Sequence, residues 1–301
     1  MLVTTKKQIM QDRAIDFVLY TGLLIIFVLM IYPFLNVLAI SLNEPMDTIR
    51  GNIFIIPRKF TLFTYSQVLF DKKIFNSSVI SVLRTIIGTL VNVTACTVFG
   101  YILSRKDFIF RKLLTVMLII TMYTNPGIIP NYFLIRNLGL LNNFMVYIIP
   151  YFISAFSVIV ARTYIEGLPE SFVESAKMDG AKELTIIFRI IFPLVLPMLA
   201  TIALFAAIFH WNSWMDTYLY ASRNQYLSTL QFELQKIIQS TNQSAASSGA
   251  AVEAARKLGR VTTPQAVKAA ISIIALIPIV AVYPFVQKYF IAGLTIGGVK
   301  E

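Results

Sequence analysis

Residues 113–161 read LLTVMLIITMYTNPGIIPNYFLIRNLGLLNNFMVYIIPYFISAFSVIVA and carry one charged side chain, Arg136. A helix of about 20 apolar residues can cross hydrocarbon because its backbone polar groups pair within the segment. The stretch therefore reads as two successive spans, Leu113 to Ile135 and Asn137 to Ala161. Outward from it, charge-free runs of the same kind occur at Phe17 to Ile40, Thr85 to Ser104, Ile190 to Met215 and Ala269 to Gln287. The predicted fold is all-α: a polytopic membrane protein with six transmembrane helices.

Composition agrees. Of the 301 residues, 57% are hydrophobic and 14% charged, against about 25% charged in an ordinary soluble domain. This excludes a soluble enzyme, a nucleic-acid-binding module and a disordered chain. The net charge of +11 marks segments that face an anionic leaflet. The single cysteine, Cys96, excludes an internal disulfide and reads as a packing residue, and the single histidine, His210, argues against a metal site. Lys6, Lys7 and Arg13 precede the first run, which is longer than the roughly 7–15 residues of a signal-peptide core and reads as a retained anchor.

Orientation follows from the short loops. Arg105, Lys106, Arg111 and Lys112 crowd the loop between spans two and three, whereas the next loop offers Arg136 alone. Both termini are then expected in the cytoplasm. The division that follows is an N-terminal tail, first helix and outer loop (1–75), a core (76–290) and a cytoplasmic tail (291–301). Two outer segments are long: 41–75, with Pro45, Pro57 and the basic pair Arg58 and Lys59, and 216–265. In the second, Leu227, Leu230, Leu234, Ile237 and Ile238 recur at helical spacing. The Ser/Ala/Gln-rich stretch Gln239 to Ala255 reads as a mobile loop tip.

The inner loop 162–190 is the most informative. Five of the 15 acidic residues fall there: Glu166, Glu170, Glu174, Asp179 and Glu183. Pro169 suits the first turn of a helix, whose dipole favours Glu170 and Glu174. Asp179-Gly180 supplies a stop, and a second helix is expected from about Ala181 to Ile191. Ser175 and Ala176, small and on a face with Phe172, suit a cleft on another protein. Physical chemistry alone leaves two readings, a surface connector and a docking element.

Glu174-Ser175-Ala176, two residues, Asp179-Gly180-Ala181, then Phe188, Ile191 and Pro193 resembles the EAA loop of ABC importer permeases. Ser175 stands where that family usually has Ala, and Phe192 where it has Leu. Asn137 to Asn142 with Ile149-Pro150-Tyr151, Trp211-Asn212, and the ending Gln287 to Phe290, Gly293 to Thr295 and Gly297 to Lys300 are similar to the MalG-like carbohydrate permeases. The long loop before the last span resembles the LplC-like branch, which moves larger oligosaccharides, some with uronic acids. The resemblance implies the type I importer (MetI-like) fold in a bacterial plasma membrane, with Glu174, Ser175, Ala176, Asp179, Gly180 and Ala181 as the coupling residues. It implies as partners a second homologous permease, an ATPase dimer, an extracytoplasmic solute-binding protein and a carbohydrate. ATP and Mg would sit on the ATPase, with no cofactor or catalytic residue here. The chain has no Gly-Lys dipeptide and hence no P-loop.

A substrate path needs polar groups inside the spans. Arg84, Asn92, Tyr123, Asn125, Trp211 and Asn212 are the candidates. Pro126, Gly127 and Pro130 should break the third span and free backbone groups. Each has a plainer reading: amides tie helices together, and Trp marks the interfacial belt. Arg84 either snorkels or meets an acidic sugar or the partner permease. An ion-coupled transporter would want more ionisable residues near mid-membrane, and a membrane enzyme a cluster of Asp, Glu, His or Ser at one interface.

Overall fold

The computed structural model describes residues 6–246 and 263–298. Their regular structure is helical, apart from an isolated antiparallel bridge between Asn43 and Phe60. The principal helices are α1 (Lys6–Ser41), α2 (Lys72–Ser104), α3 (Arg111–Tyr123), α4 (Ile128–Asn137), α5 (Ala155–Glu166), α6 (Ser171–Met178), α7 (Leu196–Asn212), α8 (Met215–Tyr220), α9 (Leu230–Ala246) and α10 (Pro264–Gly298).

Among them α1, α2 and α10 are each long and apolar enough to cross a membrane unbroken. Two bent pairs raise the number to five: Phe144–Tyr151 with α5, bent by 47°, and Glu183–Leu194 with α7, bent by 86°. The third expected span is not continuous. Pro126 disfavours a helical Asn125, Gly127 takes φ +87, and the Asn125 side chain accepts a 2.9 Å bond from the Gly127 N–H. The result is the pair α3 and α4. The fourth span likewise starts later than Asn137. Gly139 (φ +69) and Asn142 (φ +54) turn the chain, and helical structure resumes as a tight 3₁₀ turn at Phe144.

One further expectation is corrected. Gln239 to Ala246 continues α9 rather than forming a loop tip, and 247–255 lie outside the described residues. Helix α10 runs on into the segment after residue 290 as far as Gly298.

The chain divides into two compact units, 1–70 with 237–274, and 71–236 with 275–301. In the first, the segment after α1 is tightly ordered. The Asn43 amide donates to Asp47 (3.0 Å), and Arg58 Nε donates to the same carboxylate at 2.9 Å. Lys59 pairs with Glu44 at 2.8 Å, so the basic pair read in the sequence is consumed locally. Asn43, and behind it Arg58, hold the Asp47 carboxyl below its ordinary value against the opposing effect of burial. Its contribution is therefore complete above the usual carboxylate range and lost as pH falls through the lower folded value. Asp47→Ala should make the 43–60 segment several-fold more sensitive to trypsin at neutral pH; an unchanged digestion pattern would show that the network is not what orders it.

In the second unit, Asp71 caps α2 by accepting from Lys73 N (2.8 Å) and Ile74 N (3.2 Å), worth about 1 kcal/mol. Helix α2 packs along both α5 and α7. A Cβ at Gly100 would lie 2.6 Å from Ala161 Cβ and 2.9 Å from Arg162 N, so α2 and α5 meet backbone to backbone. At Gly88 the gap is filled by the His210 ring of α7. One core cluster joins Tyr101, Ala161, Val173, Ala176, Ile186 and Ile202 near the 167–194 finger, and a separate one gathers Ile135, Val146, Tyr147 and Tyr220.

Candidate functional site

The finger is built as local chemistry requires. Helix α6 ends in a Schellman turn: Ala181 N donates to Ala176 O and Gly180 N to Lys177 O, both at 3.0 Å, with Gly180 at φ +78. The orphan carbonyls of the last turn are thereby satisfied. The second half begins at Glu183, later than Ala181. From Ile186–Ile191 its hydrogen bonds are one residue wider than in an α-helix, and Phe192 N reaches Ile187 O. At Val195 the chain turns by 86° into α7. Pro197 lies just beyond, where it lacks the N–H that a straight helix would need.

One face of the finger is welded to its own bundle. Val173 and Ala176 are buried beside Tyr101, Ile165 and Ile186. This corrects the expectation for Ala176: at 7% exposure it faces inward and offers no surface to another protein. Ion pairs add to this: Lys106–Glu170 at 2.7 Å joins the finger to the turn after α2, Lys177–Glu183 at 3.1 Å closes within the finger, and Arg162–Glu166 at 2.9 Å lies at its root in α5. Arg111 also pairs with Glu166. The Tyr101 hydroxyl donates to Glu183 at 2.7 Å and lowers that carboxyl's pKa, assisted by Lys177. Lys106 does the same for Glu170.

The opposite face is free. Glu174, Ser175, Met178 (88% exposed), Asp179 and Leu184 point outward with Phe172. Three of the five acidic residues of the loop, Glu166, Glu170 and Glu183, are held in ion pairs; among the described residues Glu174 and Asp179 have none. The free face thus presents two carboxylates around apolar side chains.

Inside the spans the candidates separate. Arg84 is 0% exposed and does not snorkel. It pairs with Asp216, donates to Ser213 O at 2.9 Å and lies 4.6 Å from the Tyr147 ring centroid. Asp216 in turn accepts from Tyr151 (2.6 Å) and from Ser213 Oγ (2.7 Å). A buried cation is tolerable only with such a partner. Arg84 thus joins α2 to α8, and Trp211, also buried, donates through Nε1 to Ala275 O at 2.9 Å.

Asn92 is 4% exposed and ties α2 to Tyr151 O at 2.8 Å. Tyr123 and Asn125 are exposed at the break between α3 and α4, and exposed Asn212 turns back to Ile208 O at 3.0 Å. Cys96 is fully buried beside Val158 and accepts from Ser154 N at 3.3 Å. The sequence reading missed Asp216 as the partner of Arg84. The signal was there: a lone cation in an apolar helix demands an acid, and Asp216 is the one acidic residue between Arg189 and Arg223.

Residues 96–296 match the family of binding-protein-dependent transport system inner membrane components. The polygalacturonan/rhamnogalacturonan transport system permease protein YtcP of Bacillus subtilis is 34% identical over 97% of this chain and 100% of its own. Protein LplC of the same organism is 33% identical over 90% and 89%. Among solved structures, a chain of a bacterial ABC transporter involved in the import of the acidic polysaccharide alginate superposes with a TM-score of 0.84. It is 30% identical, over 96% of this chain and all of that one.

Proposed function

This chain belongs to the family of binding-protein-dependent transport system inner membrane components, and from that premise we propose that it imports a uronate-containing oligosaccharide, driven through the finger by a separate ATPase. As a family member it is a non-catalytic, multi-pass permease subunit of the bacterial inner membrane, working with a binding protein and further components of an ABC importer. The finer statements are ours. Both termini and the finger face the cytoplasm. The other components are a homologous second permease, an ATPase dimer that carries ATP and Mg, and an extracytoplasmic binding protein that delivers the sugar.

One observation carries the coupling. The finger's inner face is fixed by Ala176, Val173 and Glu183, while its outer face holds Glu174 and Asp179, the two carboxylates of the loop that have no ion pair among the described residues. A rigid lever with a free acidic tip suits a cleft ringed by basic groups. Ser175 and Met178 fill the space between, Gly180 sets the bend and Ala181 seals it. ATP-driven closure beneath would move this lever, and the spans fused to it would open to the outside in turn. Exposed Tyr123, Asn125 and Asn212 belong to the sugar's route, offering a ring face and amide groups. The substrate class rests on the relative named for polygalacturonan/rhamnogalacturonan transport and on the solved transporter involved in the import of the acidic polysaccharide alginate.

A cysteine at exposed Ser175 tests the docking. In the assembled, transporting complex it should cross-link to the ATPase subunit and, once cross-linked, stop uptake of trigalacturonate. An active complex that gives no cross-link, or uptake that persists without the ATPase, would overturn the reading.

A further inference from the structure

The second unit contains a cavity of about 420 Å³ between α2, the 149–157 stretch and α7, within the roughly 300–1,000 Å³ of small-molecule sites. Its wall combines Asn92, Ser157 and His210 with the rings of Tyr151, Phe205 and Phe209. Two of the polar residues are more than nine-tenths buried and incompletely satisfied. Among the described residues, Asn92, 4% exposed, has no partner for Oδ1, and His210, 2% exposed, has none for Nδ1. Buried polar atoms normally find partners, and one left alone is a standing penalty. Two such enclosed atoms, on residues that line one cavity, mark a place where another molecule's donors are received when the walls part.

The rings define the other half. Tyr151 and Phe209 meet edge to face with centroids 4.9 Å apart, and Phe205 and Phe209 remain 49% and 44% exposed. A wall with aromatic faces on one side and amide, hydroxyl and imidazole groups on the other matches a pyranose, which has an apolar face and a hydroxyl edge. Among the described residues no cation lines this space, and the Arg84 guanidinium is committed to Asp216 and Ser213.

We propose that this subunit itself holds one sugar ring of the passing oligosaccharide in the Asn92–Ser157–His210 cavity, reading its hydroxyls and not its carboxylate. Asn92 Oδ1 and His210 Nδ1 accept from ring hydroxyls once the walls part, and Phe209 stacks on the apolar face. The inference rests on the sugar-importer reading above and adds to it where, and by which groups, the sugar is touched.

The test uses the complete complex in proteoliposomes. Wild type is offered trigalacturonate, its carboxyl-reduced neutral counterpart, maltotriose and raffinose, and whichever is taken up serves as probe. If none is transported, the sugar-importer reading fails and this inference with it. With a transported probe, Asn92→Leu and His210→Phe should each raise KM about three- to tenfold in the assembled complex, the range expected for one lost hydrogen bond. If both the acidic sugar and its reduced form are carried, the rise should be equal for the two. Ser157→Cys supplies a readout independent of those variants. It should react with a polar, membrane-impermeant thiol reagent, be protected by the probe, and stand out against wild type, whose Cys96 is buried. An unchanged KM in both variants, or a Ser157→Cys that reacts only with lipid-soluble reagents, would overturn the inference and leave the cavity an acyl-chain groove.

Discussion

Arg84→Leu is expected to destabilise the folded bundle by about 3–5 kcal/mol, because it strands Asp216 as a buried charge without its counter-ion. Asp216 is only 7% exposed. Its remaining contacts, from Tyr151 and Ser213, solvate the carboxylate but do not neutralise it. Asp216→Leu should do comparable damage from the other side, leaving a guanidinium over the Tyr147 ring with one carbonyl. The informative variant is the double replacement by leucine. Removing both charges of a buried pair is often close to neutral, so Arg84→Leu/Asp216→Leu should recover most of the loss. Thermal unfolding in detergent and the yield of assembled complex measure this. A single variant with wild-type thermal stability would show that the pair is not what fastens α2 to the segment after α7.

The second large effect is predicted at Gly100. Any side chain there meets Ala161 Cβ at 2.6 Å and the Arg162 amide at 2.9 Å, and backbone cannot step aside as a flexible side chain would. Gly100→Leu should lower stability by at least the 1–3 kcal/mol typical of overpacking. It should also uncouple ATP hydrolysis from uptake, because the next residue, Tyr101, anchors the finger through Glu183. Gly180 provides the contrast. Its φ is +78 but a Cβ would touch nothing within 4 Å, so Gly180→Ala carries only the left-handed backbone penalty of about 1–2 kcal/mol. Equal melting temperatures for the two variants would contradict the packing account.

These features differ in how far they could be read beforehand. The apolar runs that become α1, α2 and α10 and the glycine stop of the finger are local, set by residues within one or two turns, and the structure follows them. So is the break at Asn125 to Gly127, where one proline and one glycine act on their immediate neighbours. The partner of Arg84 lies 132 positions away, and no period or cap connects them; only the demand of a buried charge does. Ala176 shows a subtler failure. Small residues beside Phe172 suggested an outward docking face, but Val173, three positions earlier, faces the bundle and carries Ala176 inward with it. The ordered segment after α1 escaped for the first reason, since Asn43 meets Lys59 N only after the chain has doubled back.

The widened turns at Ile186–Ile191 take up one surplus residue between finger and bundle. Losing a single residue there would let the hydrogen bonds close as an ordinary α-helix, with no donor left over. Wide turns advance by a smaller angle per residue than the roughly 100° of an α-helix, so Glu174 and Asp179 would keep nearly the same compass bearing. The element therefore works as a slack link in a crankshaft, accommodating extra chain without turning the lever it drives.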